Sequence, residues 1–183
     1  MKLYKITAFQ LLSKWDKKGK CVFTKQDLRK LFSKDSPKAF TAGINRLVKD
    51  NILVRACRGI YVNPYASSMD SYVIEHIAKA LRRGNYNYVS LESMLSEYGI
   101  ISQIPVDRLT VMTTGRKGVY TTPYGTIEYT HTKRPEANLR SGVYPIKNRP
   151  LYVASKETAW RDLKRVGRNI DLVNLKELYE QSK

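Results

Sequence analysis

Apolar residues recur at helical spacing along the first half of the chain. This spacing predicts four helices, over residues 5–15, 25–32, 36–51 and 70–83. Gly19 follows the first helix, Thr24 caps the second and Asp70 caps the fourth. The expected apolar face of the first helix consists of Ile6, Phe9, Leu12 and Trp15.

The third predicted helix has one apolar face and one basic face. Ser36 is a suitable N-cap, and Pro37 fits the first helical turn. At about 100° per residue, one face collects Phe40, Ile44, Leu47 and Val48. The opposite face collects Lys38, Ala42, Asn45, Arg46 and Lys49. We expect the first face to enter a core and the second to carry groups that suit phosphates and base edges.

A basic β-hairpin is predicted directly after this helix. Two short β-rich runs lie on either side of Arg58-Gly59, where Gly59 can adopt a positive φ without strain. Three helices with a tight turn before the third, followed by a hairpin, are the element order of a winged helix-turn-helix. This order predicts a DNA-binding domain.

Short runs rich in Val, Tyr and Thr dominate the second half of the chain. They predict strands over residues 109–114, 119–122, 126–132 and 151–153. Short helices are expected from Ser90 to Gly99 and from Ser155, and a last amphipathic helix carries Leu172, Leu175, Leu178 and Tyr179. The predicted fold class is α+β: an N-terminal winged helix-turn-helix, then a mixed α/β C-terminal domain with an antiparallel sheet.

These elements predict three parts of the chain. Residues 1–66 form the winged helix-turn-helix, residues 67–85 a connecting helix, and residues 86–183 the C-terminal domain. The connecting helix fits either a link between the two domains or a dimerisation element, and the sequence does not choose between these roles.

The net charge of +17 comes from 33 Lys and Arg residues against 16 Asp and Glu residues. Residues 1–67 hold 15 basic and 4 acidic side chains, so most of the excess lies in the predicted DNA-binding domain. A positive potential attracts polyanions and supplies affinity for nucleic acid. The charge therefore supports the same function as the element order.

The remaining composition favours a cytoplasmic protein without a membrane partner. No apolar run approaches the roughly 20 residues that span a bilayer, and the N-terminus has no secretory apolar region. Cys21 and Cys57 lack the spacing of metal ligands, and we expect both to be buried as small apolar residues.

Specific roles in DNA binding follow from side-chain chemistry. Asn45 can pair with adenine and Arg46 with guanine in a major groove, each with about 1–3 kcal/mol of discrimination. Lys38 and Lys49 suit phosphates, where a point charge suffices. The complete predicted set is Lys38, Thr41, Asn45, Arg46, Lys49, Arg55 and Arg58.

No catalytic constellation is visible in the sequence. His76 and His131 have no cysteine or carboxylate constellation nearby, and Gly115-Arg116-Lys117-Gly118 lacks the spacing of a phosphate-binding P-loop. We interpret this basic tetrapeptide as the solvated tip of a hairpin, with contact to nucleic acid as the alternative. We therefore expect a protein that is not an enzyme and that uses no cofactor or metal.

Several segments resemble a known family when they are taken as a series. They are residues 58–61 (RGIY), 88–99 (YVSLESMLSEYG), 113–116 (TTGR), 122–131 (TPYGTIEYTH) and 154–159 (ASKETA). Together they resemble the AbiEi family of antitoxins over nearly the whole chain. Trp160-Arg161-Asp162 departs from the more aliphatic run that this family has after the last segment.

The resemblance implies a two-gene operon. Its N-terminal domain would bind operator inverted repeats in double-stranded DNA and repress the operon. Its C-terminal domain would neutralise AbiEii, a nucleotidyltransferase-like toxin, without requiring a stable complex. Such systems act in phage defence and in the maintenance of mobile elements. Within the C-terminal domain, Arg116 and Lys117 are the candidate residues for the antitoxin function.

Two other functions compete with this one. The first is a winged-helix transcriptional regulator whose C-terminal domain senses a ligand or dimerises. The second is an enzyme that modifies nucleic acid, which the missing catalytic constellation disfavours. Deletion of residues 86–183 separates the antitoxin from the regulator, because only an antitoxin would lose protection against a toxin.

Overall fold

The computed structural model describes residues 2–102 and 107–179, and the side chains among them except those of residues 2, 3 and 140. The chain divides into two compact units, Met1–Leu81 and Arg82–Lys183. Parts of the predicted domains, residue 1 and residues 103–106 and 180–183, lie outside the described residues.

The N-terminal unit combines helices with a small sheet. Its elements are α1 (Lys2–Asp16), β1 (Val22–Thr24), α2 (Lys25–Leu31), α3 (Pro37–Lys49), β2 (Val54–Cys57), β3 (Ile60–Val62) and α4 (Val73–Leu81). The strand β3 lies between β1 and β2, and both pairings are antiparallel. The chain thus passes from α3 directly into a two-stranded hairpin.

Polar side chains cap the N-termini of α2 and α3 at the positions that the sequence predicts. Thr24 Oγ1 accepts a hydrogen bond from the Asp27 amide at 3.1 Å, and Asp27 Oδ2 accepts one from the Thr24 amide at 2.9 Å. This reciprocal pair is a capping box. Ser36 Oγ accepts a hydrogen bond from the Ala39 amide at 3.2 Å, and Pro37 is the first residue of α3. Each cap contributes about 1 kcal/mol to its helix.

The predicted apolar face of α3 enters the core of this unit. The core contains Ala8, Leu12, Phe23, Leu28, Phe32, Phe40, Ile44, Leu47, Ile52, Leu53 and Tyr61. The predicted face of α1 is wrong at two positions, because Ile6 is 50% and Phe9 is 47% exposed. Apolar residues surround much of α1, so their spacing does not define one face. The helix buries Ala8 beside Leu12 instead.

The helix predicted over residues 70–83 is α4, which packs against β1 and β3 in the N-terminal unit. Its predicted start at Asp70 is three residues too early. Asp70 Oδ1 accepts a hydrogen bond from the Tyr72 amide at 2.9 Å, so this side chain caps the turn before the helix.

The C-terminal unit contains one larger sheet and four α-helices within the residues that the structure describes. Its elements are β4 (Asn87–Val89), α5 (Leu91–Glu97), β5 (Arg108–Thr113), β6 (Gly118–Thr122), β7 (Gly125–His131), α6 (Glu136–Leu139), β8 (Val143–Tyr144), β9 (Tyr152–Ala154), α7 (Lys156–Val166) and α8 (Leu175–Tyr179). Helix α5 packs against α7.

The sheet of this unit is mixed, which corrects the prediction of an antiparallel sheet. Its strand order is β6-β7-β5-β4-β9-β8. The pairs β5–β7 and β4–β9 are parallel, and the other three pairs are antiparallel. From β5 the chain crosses the end of β7 to reach the edge strand β6 and then returns through a tight turn to β7. Strand-forming runs predict strands well, but they do not predict which strands are neighbours.

The predicted last helix is confirmed only in part. The structure contains the short helix α8 with Leu178 buried, but Leu175 and Tyr179 are exposed. Leu172 lies before this helix in a 3₁₀ turn. The apolar spacing therefore overestimates both the length and the burial of the segment.

Candidate functional site

The polar face of α3 is exposed, as its spacing predicts. Lys38, Thr41, Asn45, Arg46 and Lys49 all lie on the surface of the N-terminal unit. The Thr41 hydroxyl donates a hydrogen bond to the Pro37 carbonyl at 3.0 Å, so this side chain lies along the helix. The structure therefore brings five of the seven predicted DNA-binding residues onto one helix surface.

Arg46 and Lys49 lie at the edge of this surface that faces α1. Together with Tyr4 and Asp50 they line a groove of about 270 Å³. Tyr4 approaches α3 closely at Gly43, where any Cβ would overlap the tyrosine hydroxyl. At about 100° per residue, Asn45 lies nearer the middle of the exposed surface than Arg46 does.

Arg29 fixes the turn between α2 and α3, a role that the sequence did not reveal. Its Nη1 atom donates to the carbonyl oxygens of Phe32 at 3.2 Å and Asp35 at 2.6 Å. Its guanidinium group also lies 5.3 Å from the centre of the Phe40 ring. A basic residue in the last turn of a helix often binds nearby carbonyls, and this position was the available signal.

The other two predicted DNA-binding residues lie on the hairpin that follows α3. Arg55 is exposed on β2, and Arg58 is exposed in the two-residue turn between β2 and β3. Gly59 completes this turn with φ of +82°, which confirms the predicted turn. The Lys25 amide donates to the Gly59 carbonyl at 2.8 Å, so the first residue of α2 supports the turn.

Acidic residues of the N-terminal unit contact groups outside the predicted DNA-binding set. Asp50 pairs with Lys5 at 2.8 Å, and Asp27 pairs with Lys20 at 3.2 Å. Asp16 accepts hydrogen bonds from two backbone amides in the loop before α4. Hydrogen bonds with Ser68 and the Ser67 amide lower the pKa of this carboxyl group. These contacts do not engage the basic face of α3.

The basic tetrapeptide of the C-terminal unit is a crossing loop, so its interpretation as a hairpin tip is wrong. It joins β5 to β6, which are separated in the sheet by β7. Arg82 Nε donates to the Arg116 carbonyl at 3.0 Å, and His131 Nδ1 lies 2.8 Å from the Gly115 carbonyl. The side chains of Arg116 and Lys117 remain exposed.

Arg82 joins this loop to the sheet. Its guanidinium group lies 4.6 Å from the Tyr129 ring centre and 5.1 Å from the Tyr120 ring centre. Its Nη2 atom also donates to the Tyr120 hydroxyl at 2.8 Å. The sequence did not assign Arg82 or His131 to the site of Arg116, because the contact depends on the order of strands in the sheet.

The YVSLES segment builds the core of the C-terminal unit. Tyr88 and Ser90 donate hydroxyl hydrogen bonds to Asp162 Oδ2 at 2.9 and 3.0 Å. Burial and the neighbouring Asp162 raise the pKa of the Tyr88 hydroxyl, so this group acts as a donor. Ser90 precedes α5, but its side chain bonds to Asp162 and does not cap the helix. Asp162 and the buried Trp160 belong to the run that departs from the family's pattern.

An ionic cluster connects α5, β7 and the residue Arg168 that follows α7. Arg168 follows α7 and donates to Glu92 of α5 through Nε at 2.7 Å and Nη2 at 3.1 Å. It also donates to Glu128 of β7 through Nη1, and Arg108 contacts Glu128 at 2.7 Å. Burial opposes ionisation of Glu128, but the two arginines outweigh burial and lower the pKa of its carboxyl group.

Other residues considered in the sequence have ordinary surroundings. Cys21 is buried as predicted, whereas Cys57 is half-buried. His76 lies 3.5 Å from Asp70. Across residues 2–102 and 107–179, no group of three or more histidine, cysteine, aspartate or glutamate side chains is arranged to hold a metal ion. In the same part of the chain, no helix has the length and apolar character needed to cross a membrane.

Comparison with known proteins supports the resemblance stated above. Residues 10–64 match the model of a family described as "Transcriptional regulator, AbiEi antitoxin". This range includes α2, α3 and the β2–β3 hairpin, so the resemblance to AbiEi antitoxins is confirmed in the N-terminal unit. The match supports an antitoxin that regulates transcription. No curated protein sequence matches the chain.

A solved structure resembles most of the fold. The RV2827C protein from Mycobacterium tuberculosis has a TM-score of 0.57 with 14% sequence identity. The similarity covers 94% of this chain and 70% of that protein. At this level of identity, the likeness concerns the fold alone.

Proposed function

We propose that this protein is the antitoxin of an AbiE-like system and represses its own operon. The observation that carries the proposal is the exposed basic face of α3 within residues 10–64, the range that matches the AbiEi family. The proposal has two parts, and each part uses one compact unit of the chain.

In the first part, the N-terminal unit is a winged helix-turn-helix that binds operator inverted repeats in double-stranded DNA. Helix α3 enters the major groove, and the β2–β3 hairpin follows the adjacent backbone. Asn45 and Arg46 read base edges, while Lys38, Thr41 and Lys49 contact the phosphates beside them. Arg55 and Arg58 meet the backbone or the neighbouring minor groove.

In the second part, the C-terminal unit neutralises a nucleotidyltransferase-like toxin of the AbiEii kind. Arg116 and Lys117 are the candidate residues, since both are exposed on a loop whose backbone is held by Arg82 and His131. Neutralisation does not require a stable complex, and we propose no catalytic role for the chain.

A double substitution tests whether the two activities are separate. Arg46→Ala with Arg58→Ala removes two exposed cations from the DNA-binding surface, so we expect repression to fall at least tenfold. Neutralisation of the toxin is expected to persist. The measurements are a reporter fused to the native promoter and cell survival during toxin induction. Lys14→Ala with Lys17→Ala is the matched control, because it removes two exposed lysines elsewhere on the same unit.

The reciprocal variant is Arg116→Ala with Lys117→Ala. We expect it to lose protection against the toxin while repression stays within about twofold, since it lies outside the DNA-binding unit. If either double variant lost both activities while keeping a native circular dichroism spectrum, the division of labour would be wrong.

A further inference from the structure

The crossing loop of the C-terminal unit, which carries the candidate pair Arg116 and Lys117, borders an open cavity. The cavity has a volume of about 610 Å³ and is lined by Thr114, Gly115, Arg116, Lys117 and His131. Its charged lining groups are cations, and no carboxylate is among the five lining residues. Such a lining attracts an anion.

The backbone of this loop is held before any ligand arrives. Arg82 and His131 bind two consecutive carbonyls, those of Arg116 and Gly115. The Gly115 amide donates to Thr113 Oγ1 at 3.0 Å, and the Thr114 amide donates to the Tyr86 carbonyl at 3.0 Å. A preformed loop lowers the conformational cost of binding.

The hydrogen bond to Gly115 also orients the imidazole of His131. A carbonyl oxygen can only accept, so Nδ1 carries the proton in this contact. Nε2 is then the ring nitrogen that can meet a ligand. Thr114 Oγ1 accepts from the Tyr86 amide at 3.0 Å, and its own proton can be donated elsewhere. The loop thus presents an imidazole, a hydroxyl and two cationic side chains.

We propose that this cavity binds a phosphate group carried by a nucleotide or by a nucleic-acid strand. Arg116 and Lys117 neutralise the phosphate, and His131 and Thr114 contact its oxygens. Arginine provides paired donors for phosphate oxygens, and lysine provides a point charge. The inference adds two residues to the pair proposed for neutralisation. It stands if that role fails, because its test measures ligand binding alone.

The chain offers a site-specific reporter for this test. It contains two histidines, and His76 lies in the N-terminal unit. The imidazole signals of the full-length protein are followed by NMR during titration with adenosine, adenosine monophosphate and inorganic phosphate at constant ionic strength. His131→Gln assigns the two signals. We expect a saturable shift of the His131 signal with the phosphate-bearing ligands, no shift with adenosine, and no change at His76.

Variants identify the residues that produce the shift. We expect Arg116→Ala with Lys117→Ala to weaken phosphate binding by about tenfold or more. Lys147→Ala with Lys176→Ala removes two exposed lysines elsewhere in the same unit and should leave affinity within about twofold. Short oligonucleotides with and without a 5′-phosphate then distinguish a strand end from a free nucleotide as the source.

Each outcome decides the proposal. A response to phosphate-bearing ligands that depends on Arg116 and Lys117 supports it, whichever source binds more tightly. Equal shifts at both histidines overturn it, as do equal affinities in the two double variants. A response that sodium chloride reproduces would show general screening and would also overturn it.

Discussion

The two units bury different kinds of side chain. In the described part of the N-terminal unit, the buried polar or charged residues are Asn63 and Glu75. In the described part of the C-terminal unit they are Asn87, Ser90, Glu92, Thr110, Thr113, Thr122, Glu128, Thr132, Thr158 and Asp162. The first unit therefore relies on apolar packing, and the second also relies on hydrogen bonds and ion pairs inside its core.

Because of this difference, the recognisable sequence patterns of the two units report different things. In the N-terminal unit, apolar positions build the core and charged positions remain on the surface. In the C-terminal unit, residues of the YVSLES segment hold the core through Asp162 and Arg168. The YVSLES segment, which resembles the AbiEi family, therefore contributes to the folding of the C-terminal unit. Surface residues such as Arg116 must then be found from the structure.

Removal of Arg168 is the most disruptive test of this difference. Arg168→Ala leaves the buried carboxylates of Glu92 and Glu128 without their shared partner. We expect the C-terminal unit to lose about 3 kcal/mol of unfolding free energy. Glu128 keeps its contact with Arg108, but the buried Glu92 loses its arginine partner, and an uncompensated buried charge is costly. Arg161→Ala removes an exposed arginine of α7 in the same unit and should cost less than about 0.5 kcal/mol.

Each unit has its own tryptophan for the measurement. The chain contains two tryptophans, Trp15 in the N-terminal unit and Trp160 in the C-terminal unit. Urea unfolding followed in a Trp15→Phe background reports on the second unit, and the Trp160→Phe background reports on the first. Equal losses in both units would contradict the view that this cluster stabilises one unit.

The local features of the N-terminal unit could be predicted from the sequence. Thr24, Ser36 and Gly59 act within a few residues of their own positions, and each has the predicted role. The exposed face of α3 was predicted because its apolar residues repeat cleanly. The face of α1 was not, because too many of its residues are apolar.

In the C-terminal unit, the features that the sequence did not reveal depend on distant parts of the chain. The hydrogen bond from Ser90 to Asp162 joins residues 72 positions apart. The contact of His131 with Gly115 requires β7 to lie beside β5. Strand order and such contacts arise from tertiary packing, which residue spacing does not encode.

DNA binding provides a sharper test of the N-terminal unit. Asn45→Ala and Arg46→Ala should each reduce the preference for operator over random DNA by about 1–3 kcal/mol if they read base edges. Lys38→Ala and Lys49→Ala should weaken binding to both DNAs alike, since phosphates carry no sequence. Fluorescence anisotropy with operator and random duplexes at one salt concentration measures both effects.

Stability measurements complete this test. All four side chains are exposed, so each substitution should change the unfolding free energy of the N-terminal unit by less than about 0.5 kcal/mol. Equal losses of affinity on both duplexes for all four variants would contradict the assigned roles. A large loss of stability would show that this unit does not separate its core from its binding surface.

The smallest expected effect is the response of the unfolding free energy to acid, which should differ between the two units. Burial alone would raise the pKa of Glu128, but the two arginines hold it below the ordinary value of a glutamate. A lowered pKa in the folded state adds stability above the unfolded pKa, and this stability is lost as pH falls through the folded pKa. We therefore expect the stability of the C-terminal unit to decrease below about pH 4.

Glu128→Gln should make that decrease shallower, because glutamine does not titrate. Urea unfolding at pH 6 and pH 3 in the Trp15→Phe background measures the change, and the Trp160→Phe background is the control. An unchanged slope in Glu128→Gln would show that other carboxylates govern the acid response of this unit.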